Sequence, residues 1–179
     1  EGELLQIEKS RKLNLDEDVY FEIIRNKTAS LLSSACAVGA YSTGKDETKT
    51  EKMKLFGQKV GIAFQIKDDL FDYGKEDVGK PTGNDIREKK LTLPLIYTLN
   101  TIDKNARRKI IYMLKNENKN KESINFIIES VIKAGGIKYA ETKMNLYRDE
   151  ALEILYTFDA SPVRSALEEL VRFTTDRKY

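Results

Sequence analysis

Apolar residues recur every three or four positions between long charged faces along most of the chain, a period that predicts helix after helix with short connections. Asn14-Leu15-Asp16-Glu17 has the form of a capping box. The Asn14 side chain can accept from a free amide and acidic residues fill the positive first turn, so a helix is expected from there to about Ser42. Asp46 can cap a second helix that runs through Met53, Leu55, Phe56, Val60, Phe64 and Leu70 to about Tyr73, roughly 40 Å at about 1.5 Å per residue. The stretch 74–90 reads as a polar loop, because Gly74, Gly79, Pro81 and Gly83 all interrupt helices. Further helices are expected at about 92–101, with Pro94 in a first turn, 103–116, 121–134, 136–158 and 162–174, the last started by Ser161-Pro162. No segment reads as a strand and no repeat has a fixed period. The expectation is one all-α domain over 1–179.

Composition narrows the chemistry. With 179 residues, 40% hydrophobic and 34% charged, the chain is long enough to bury a sizeable core, and disorder is excluded as its default. Lys and Arg number 31 against 29 Asp and Glu, a net charge of +2 that gives no reason to expect nucleic acid or an anionic membrane as partner. The tract Lys115 to Lys121 is interleaved with Asn and Glu and reads as a solvated loop. No histidine is present, which removes Ser-His and Cys-His pairs and histidine zinc sites; carboxylates, lysines or a metal must carry any reaction. The one cysteine, Cys36, lies among small residues and reads as core. No apolar run reaches the ~18 residues of a membrane span, and there is no signal-like start, so a cytoplasmic protein is expected. The chain opens without methionine, already inside a helical pattern, which suggests a fragment.

On a helix, Gln65, Asp68, Asp69 and Asp72 share one stripe, since spacings of three and four return to the same face. Three carboxylates on one stripe repel one another unless a cation intervenes, and magnesium takes one or two protein carboxylates together with phosphate oxygens and water. The plainer alternative is an exposed acidic face paired with neighbours such as Lys67 and Lys75. The bulky Phe64, Ile66, Leu70, Phe71 and Tyr73 around the stripe favour a cavity wall. Gly57 and Gly61, one turn apart, permit another backbone to come close. Gly74 to Lys80 matches the opening of a P-loop, but it follows a helix, and Pro81 stands where Ser or Thr should bind magnesium; a nucleotide P-loop is rejected.

Taken in order, Gly2-Glu3-Leu4-Leu5-Gln6, Lys27-Thr28, the stretch Phe64 to Asp72, and Gly79-Lys80 followed by Gly83 to Pro94 resemble the trans-isoprenyl (polyprenyl) diphosphate synthases, specifically their second aspartate-rich motif and the loop after it. The resemblance implies a bundle of the isoprenoid synthase type, of which this chain is the carboxy-terminal part, usually dimeric. It implies head-to-tail prenyl transfer that condenses isopentenyl diphosphate onto an allylic diphosphate with Mg2+. By the same resemblance Asp68, Asp69 and Asp72 contribute to the metal cluster, Lys27, Lys80 and Lys90 neutralise diphosphate, and Thr28 and Gln65 border the reacting carbon. Lys89 competes with Lys90 by position. Leu91-Thr92-Leu93-Pro94 resembles the long-chain, octaprenyl-type form of the loop.

The family's first aspartate-rich motif is not found. Asp16-Glu17-Asp18 lacks its spacing, and Arg107-Arg108 falls in the wrong order to be its paired arginines. The expectation is therefore that residues 1–179 alone are inactive, and that their apolar surface favours self-association. Two alternatives stand beside the synthase reading: a non-catalytic regulatory or heteromeric subunit, and a class I terpene cyclase, which the absence of an Asn/Ser/Glu-type second metal motif disfavours.

Overall fold

The helical period is realised throughout the computed structural model, which describes residues 2–13, 16–74 and 82–177. Its elements are α1 (Gly2–Lys12), α2 (Glu17–Ile24), a π-helical turn (Arg25–Ala29), α3 (Ser30–Gly44), α4 (Glu47–Phe71), α5 (Asn84–Arg87), α6 (Leu93–Thr101), α7 (Lys104–Asn116), α8 (Lys121–Lys133), α9 (Gly136–Tyr156) and α10 (Pro162–Asp176), with no strand among the described residues. Among the described residues, side-chain caps mark five of the ten α-helix starts. The Asp46 carboxylate accepts from the Lys49 amide at 3.0 Å, and Asp103, Asn120 and Ser161 cap α7, α8 and α10 in the same way. Asn14 lies outside the described residues. The helix start expected there belongs to Asp16, whose carboxylate accepts from the Val19 amide at 2.9 Å.

The single helix expected from there to Ser42 is instead two α-helices joined by the π turn at 25–29. A π turn inserts an extra residue into the winding, which re-aims the side chains at that point and is common at functional sites. It carries Lys27 and Thr28.

Helix α4 is the central strut, with α3 packed along one side and α9 along another. The contacts of α3 and of the π turn with α4 depend on two glycines. A Cβ on Gly57 would lie 2.5 Å from the Leu32 carbonyl oxygen, and one on Gly61 would lie 2.6 Å from the Ala29 Cα. Larger residues there would push the helices apart. A large core gathers Tyr20, Phe21 and Ile24 of α2, Ile62, Ala63 and Ile66 of α4, and the buried faces of α6 to α9. A smaller one forms around Phe56, Val60, Ala151, Leu152, Leu155 and Val171. Cys36 is partly buried against this second cluster, not fully in the core as expected. Leu31, Val38 and Tyr41 of α3 and Val163, Leu170 and Phe173 of α10 are exposed. Among the described residues no helix is long and apolar enough to cross a membrane.

Candidate active site

Asp69, on the last turn of α4, is fully buried and is the hub of a polar network inside the large core. The Tyr20 hydroxyl of α2 donates to its Oδ2 at 2.8 Å. Its Oδ1 accepts from the Gln65 amide at 3.2 Å and from the Lys90 ammonium at 2.9 Å. Gln65 accepts in turn from the Thr28 hydroxyl at 2.8 Å, which fastens the π turn to α4. A buried carboxylate is tolerated only when its lone pairs are matched, and here the matching donors come from three separate elements.

Lys90 reaches a second carboxylate, Asp85, at 3.2 Å. Burial disfavours the Lys90 ammonium, but Asp69 and Asp85 together outweigh that and raise its pKa, keeping it charged. Burial pushes the Asp85 carboxyl up to about 6, with Lys90 opposing the rise and Asp69 and Asp72 adding to it. Tyr20 is held far above the ordinary phenol range by burial and by the Asp69 charge, so it acts as a donor only.

Asp72 has a different occupation. Its Oδ1 accepts from the Asn84 amide at 2.7 Å and its Oδ2 from the Asp85 amide at 3.2 Å. It thereby caps α5 from a distance, where Gly83 at the start offers no side chain and adopts φ 77°. Asp68 turns away from both. It is 43% exposed, and its nearest ionic partner is the Arg177 guanidinium at 3.7 Å. The three carboxylates expected to converge on a metal therefore diverge onto three sets of partners. Among the described residues no group of three acidic, cysteine or histidine side chains is placed to hold an ion. Spacing along one helix sets which face a residue occupies, but its partners in α2, the α5 loop and the residue after α10 decide where its oxygens point.

Lys27, on the π turn, donates to Gln6 Oε1 at 2.8 Å and pairs with Glu3 Oε2 at 2.7 Å. Gly2 lets α1 lie this close, since a Cβ there would sit 2.6 Å from the Lys27 amide nitrogen. Lys27, Lys90, Asp85, Glu3 and Gln6 all line one cavity of about 420 Å3 between α1, the π turn and the α5 loop. Lys89 reaches the same rim, but its ammonium donates to the Lys115 carbonyl at 2.8 Å, so Lys90 is the lysine joined to the aspartates. The 115–121 tract is accordingly more than a solvated loop. Asn118 also donates to the Arg87 carbonyl at 2.6 Å and braces the α5 segment.

Lys80 and Lys75 lie outside the described residues. Sequence reasoning passed over Tyr20, Asp85 and Arg177. Asp85 stands inside the loop that carried the resemblance, whereas an aromatic residue in an apolar helix and a terminal arginine bear no signal of their own.

Comparison with known proteins comes out in one direction. The family model described as polyprenyl synthetase matches residues 1–131. Component 2 of the heptaprenyl diphosphate synthase of Bacillus subtilis is 31% identical over 99% of this chain and 51% of its own length. The crystal structure of geranylgeranyl pyrophosphate synthase from Bacteroides thetaiotaomicron superposes with a TM-score of 0.90 at 38% identity, covering 98% of this chain and 59% of that one. A polyprenyl synthase from Caulobacter crescentus, complexed with calcium and isoprenyl diphosphate, gives a TM-score of 0.91 at 35% identity over 99% of this chain and 55% of that one. The chain spans about half the length of the curated relatives it matches.

Proposed function

This chain belongs to the polyprenyl synthetase family, and from that premise we propose that it carries the allylic-diphosphate wall of a head-to-tail prenyl transfer site. The observation that carries this reading is that Lys27 and Lys90 line one cavity beside the buried Asp69 hub. In the proposed reaction the allylic carbon–oxygen bond breaks and its electron pair leaves with diphosphate. The double bond of isopentenyl diphosphate then attacks the allylic cation, and the proton lost is taken by the released diphosphate. Lys27, Lys90 and Lys80 stabilise the negative charge that develops on the leaving group. Thr28 and Gln65, fixed to each other by their hydrogen bond, border the reacting carbon.

Mg2+ is the cofactor proposed, and the donor chemistry allows one ligand from the stripe. Asp69 and Asp72 have both oxygens matched by protein donors, whereas Asp68 is partly exposed and its ion pair with Arg177 is long, at 3.7 Å. Asp68 is therefore the residue proposed to hold Mg2+, with Asp69 and Asp72 as positioning residues. When bound, the ion would neutralise charge on the departing diphosphate. The calcium and isoprenyl diphosphate bound by the Caulobacter protein support this class of ligand.

The product is proposed to be a long polyprenyl diphosphate, from the Leu91-Thr92-Leu93-Pro94 form of the loop, made by a cytoplasmic homodimer. Turnover is proposed to need a complementary half of the fold. The name of the Bacillus relative, a component 2, favours a second reading in which the protein works as one member of a heteromeric pair. Calorimetry with farnesyl thiodiphosphate tests the wall. The chain should bind it in the presence of Mg2+, and Lys27→Ala should weaken binding about tenfold, a loss of about 1.4 kcal/mol. Unchanged affinity overturns the assignment. Condensation of isopentenyl diphosphate by residues 1–179 alone would remove the need for a second half.

A further inference from the structure

Asp68 is partly exposed, but one side of it meets aromatic rings and a cation. Phe64, Asp68 and Phe71 are spaced by four and three residues on α4, so two rings flank one carboxylate on a single stripe. The guanidinium of Arg177 lies across that stripe, 4.4 Å from the Phe64 ring centre, 5.1 Å from that of Phe71, and 3.7 Å from Asp68 Oδ1. Its side chain is 17% exposed, and its buried Nε and Nη2 find no hydrogen-bond acceptor among the described residues. Its place is set by α10, whose Val171 and Thr175 are buried and whose last residue, Asp176, is 3.8 Å from Arg148. The result is a cation held over rings, facing a carboxylate from just beyond hydrogen-bonding distance, with two donors unmatched. Arginine–carboxylate pairs are frequently bidentate. This one is attractive in charge and incomplete in bonding.

We propose that Arg177 is a tethered counter-cation for Asp68, facing the carboxylate until a divalent cation takes its place, so that cation binding and release of Arg177 are coupled. The inference rests on the reading of Asp68 as the metal-holding carboxylate. Two positive charges cannot share one face of one carboxylate without mutual repulsion, so whatever Arg177 contributes to neutralising Asp68 is lost when the ion binds. By linkage, the ion must loosen Arg177 by the factor by which Arg177 weakens the ion.

The experiment is a titration of the 179-residue chain with Mn2+, free ion being counted by electron paramagnetic resonance, in wild type, Arg177→Gln, Arg177→Lys and Asp68→Asn. Far-UV circular dichroism melts verify that each variant is folded. Arg177→Gln should bind Mn2+ about three- to tenfold more tightly than wild type, a range set by partly exposed charge pairs and typical couplings. Arg177→Lys, which keeps the charge, should stay close to wild type, and Asp68→Asn should lose the site. With Mg2+ as a diamagnetic probe, the Arg177 Nε–H resonance should shift in wild type and stay fixed in Asp68→Asn. If Asp68→Asn binds Mn2+ as wild type does, the Asp68 reading fails and the proposal falls with it. If Asp68→Asn loses the site but Arg177→Gln binds with equal or lower affinity, the Asp68 reading stands and the counter-cation proposal is overturned. Failure of both wild type and Arg177→Gln to bind Mn2+ sinks the Asp68 reading, and the proposal with it.

Discussion

The two ends of α4 are built on opposite principles. Toward its start, Phe56 and Val60 pack against Ala151, Leu152, Leu155 and Val171 in a small, wholly apolar cluster. Toward its finish, Ile62, Ala63 and Ile66 belong to the large core, yet that core also encloses the Asp69 side chain, which meets the Lys90 ammonium at its edge, and two phenols. The apolar end is stabilised by area removed from water and tolerates any shape that fills it. The polar end is held by mutual satisfaction, so the loss of one member leaves another buried without a partner. One helix thus joins a strut to a site. Damage at the strut should lower stability alone, and damage at the site should lower stability and ligand binding together.

The largest effect is expected from Lys90→Ala, which leaves Asp69 buried and short of its counter-charge. It should destabilise the chain by about 3–5 kcal/mol in urea unfolding and abolish binding of farnesyl thiodiphosphate. Retained binding would show that the two ends do not differ in kind. Leu152→Ala at the apolar end should lose about 2–5 kcal/mol by the same measurement, while ligand affinity of the folded protein stays within about twofold of wild type. Tyr20→Phe removes one donor from Asp69 Oδ2 and keeps the ring. A loss of about 1–3 kcal/mol is expected, with a smaller loss of affinity than in Lys90→Ala.

The smallest effect separates the ends by pH. Asp85 titrates near 6 in the folded chain against 3.8 for the free group. Below the lower value both states hold the proton, between the two values the folded state binds more protons, and above about 6 both states are ionised. Stability from this group therefore falls as pH rises from about 4 to about 6 and is level beyond. Relative to Asp85→Asn, wild type should lose about 1–2 kcal/mol across that interval, less than the full shift would give because Asp85 is partly solvated. A Leu152→Ala chain should keep the wild-type slope.

Much of this organisation is legible without coordinates. Asp46, Asp103 and Ser161 announce their helices because a capping side chain bonds its own backbone two or three residues on. The approach of α3 to α4 is foreshadowed by Gly57 and Gly61, and the Thr28–Gln65 pair by the family resemblance. The π turn at 25–29 is not foreshadowed, since its residues have ordinary helical preferences and the extra residue is accommodated by packing of α1 and α4 around it. Nor does spacing reveal that Asp69 serves Lys90 and Tyr20, that Asp72 caps α5, or that Asp68 faces Arg177.

What the amino-acid order determined by itself is local: an all-helical chain, the capped starts of its helices, and a single helix face bearing three aspartates beside a lysine-bearing loop. Those outcomes depend on interactions within about four residues, where backbone geometry fixes the distances. What only the tertiary structure decided is which oxygen meets which cation. Tyr20 lies 49 residues from Asp69, and Lys90 lies 21. A buried carboxylate takes whichever donors the packed chain brings to it, and that choice is made by the fold as a whole.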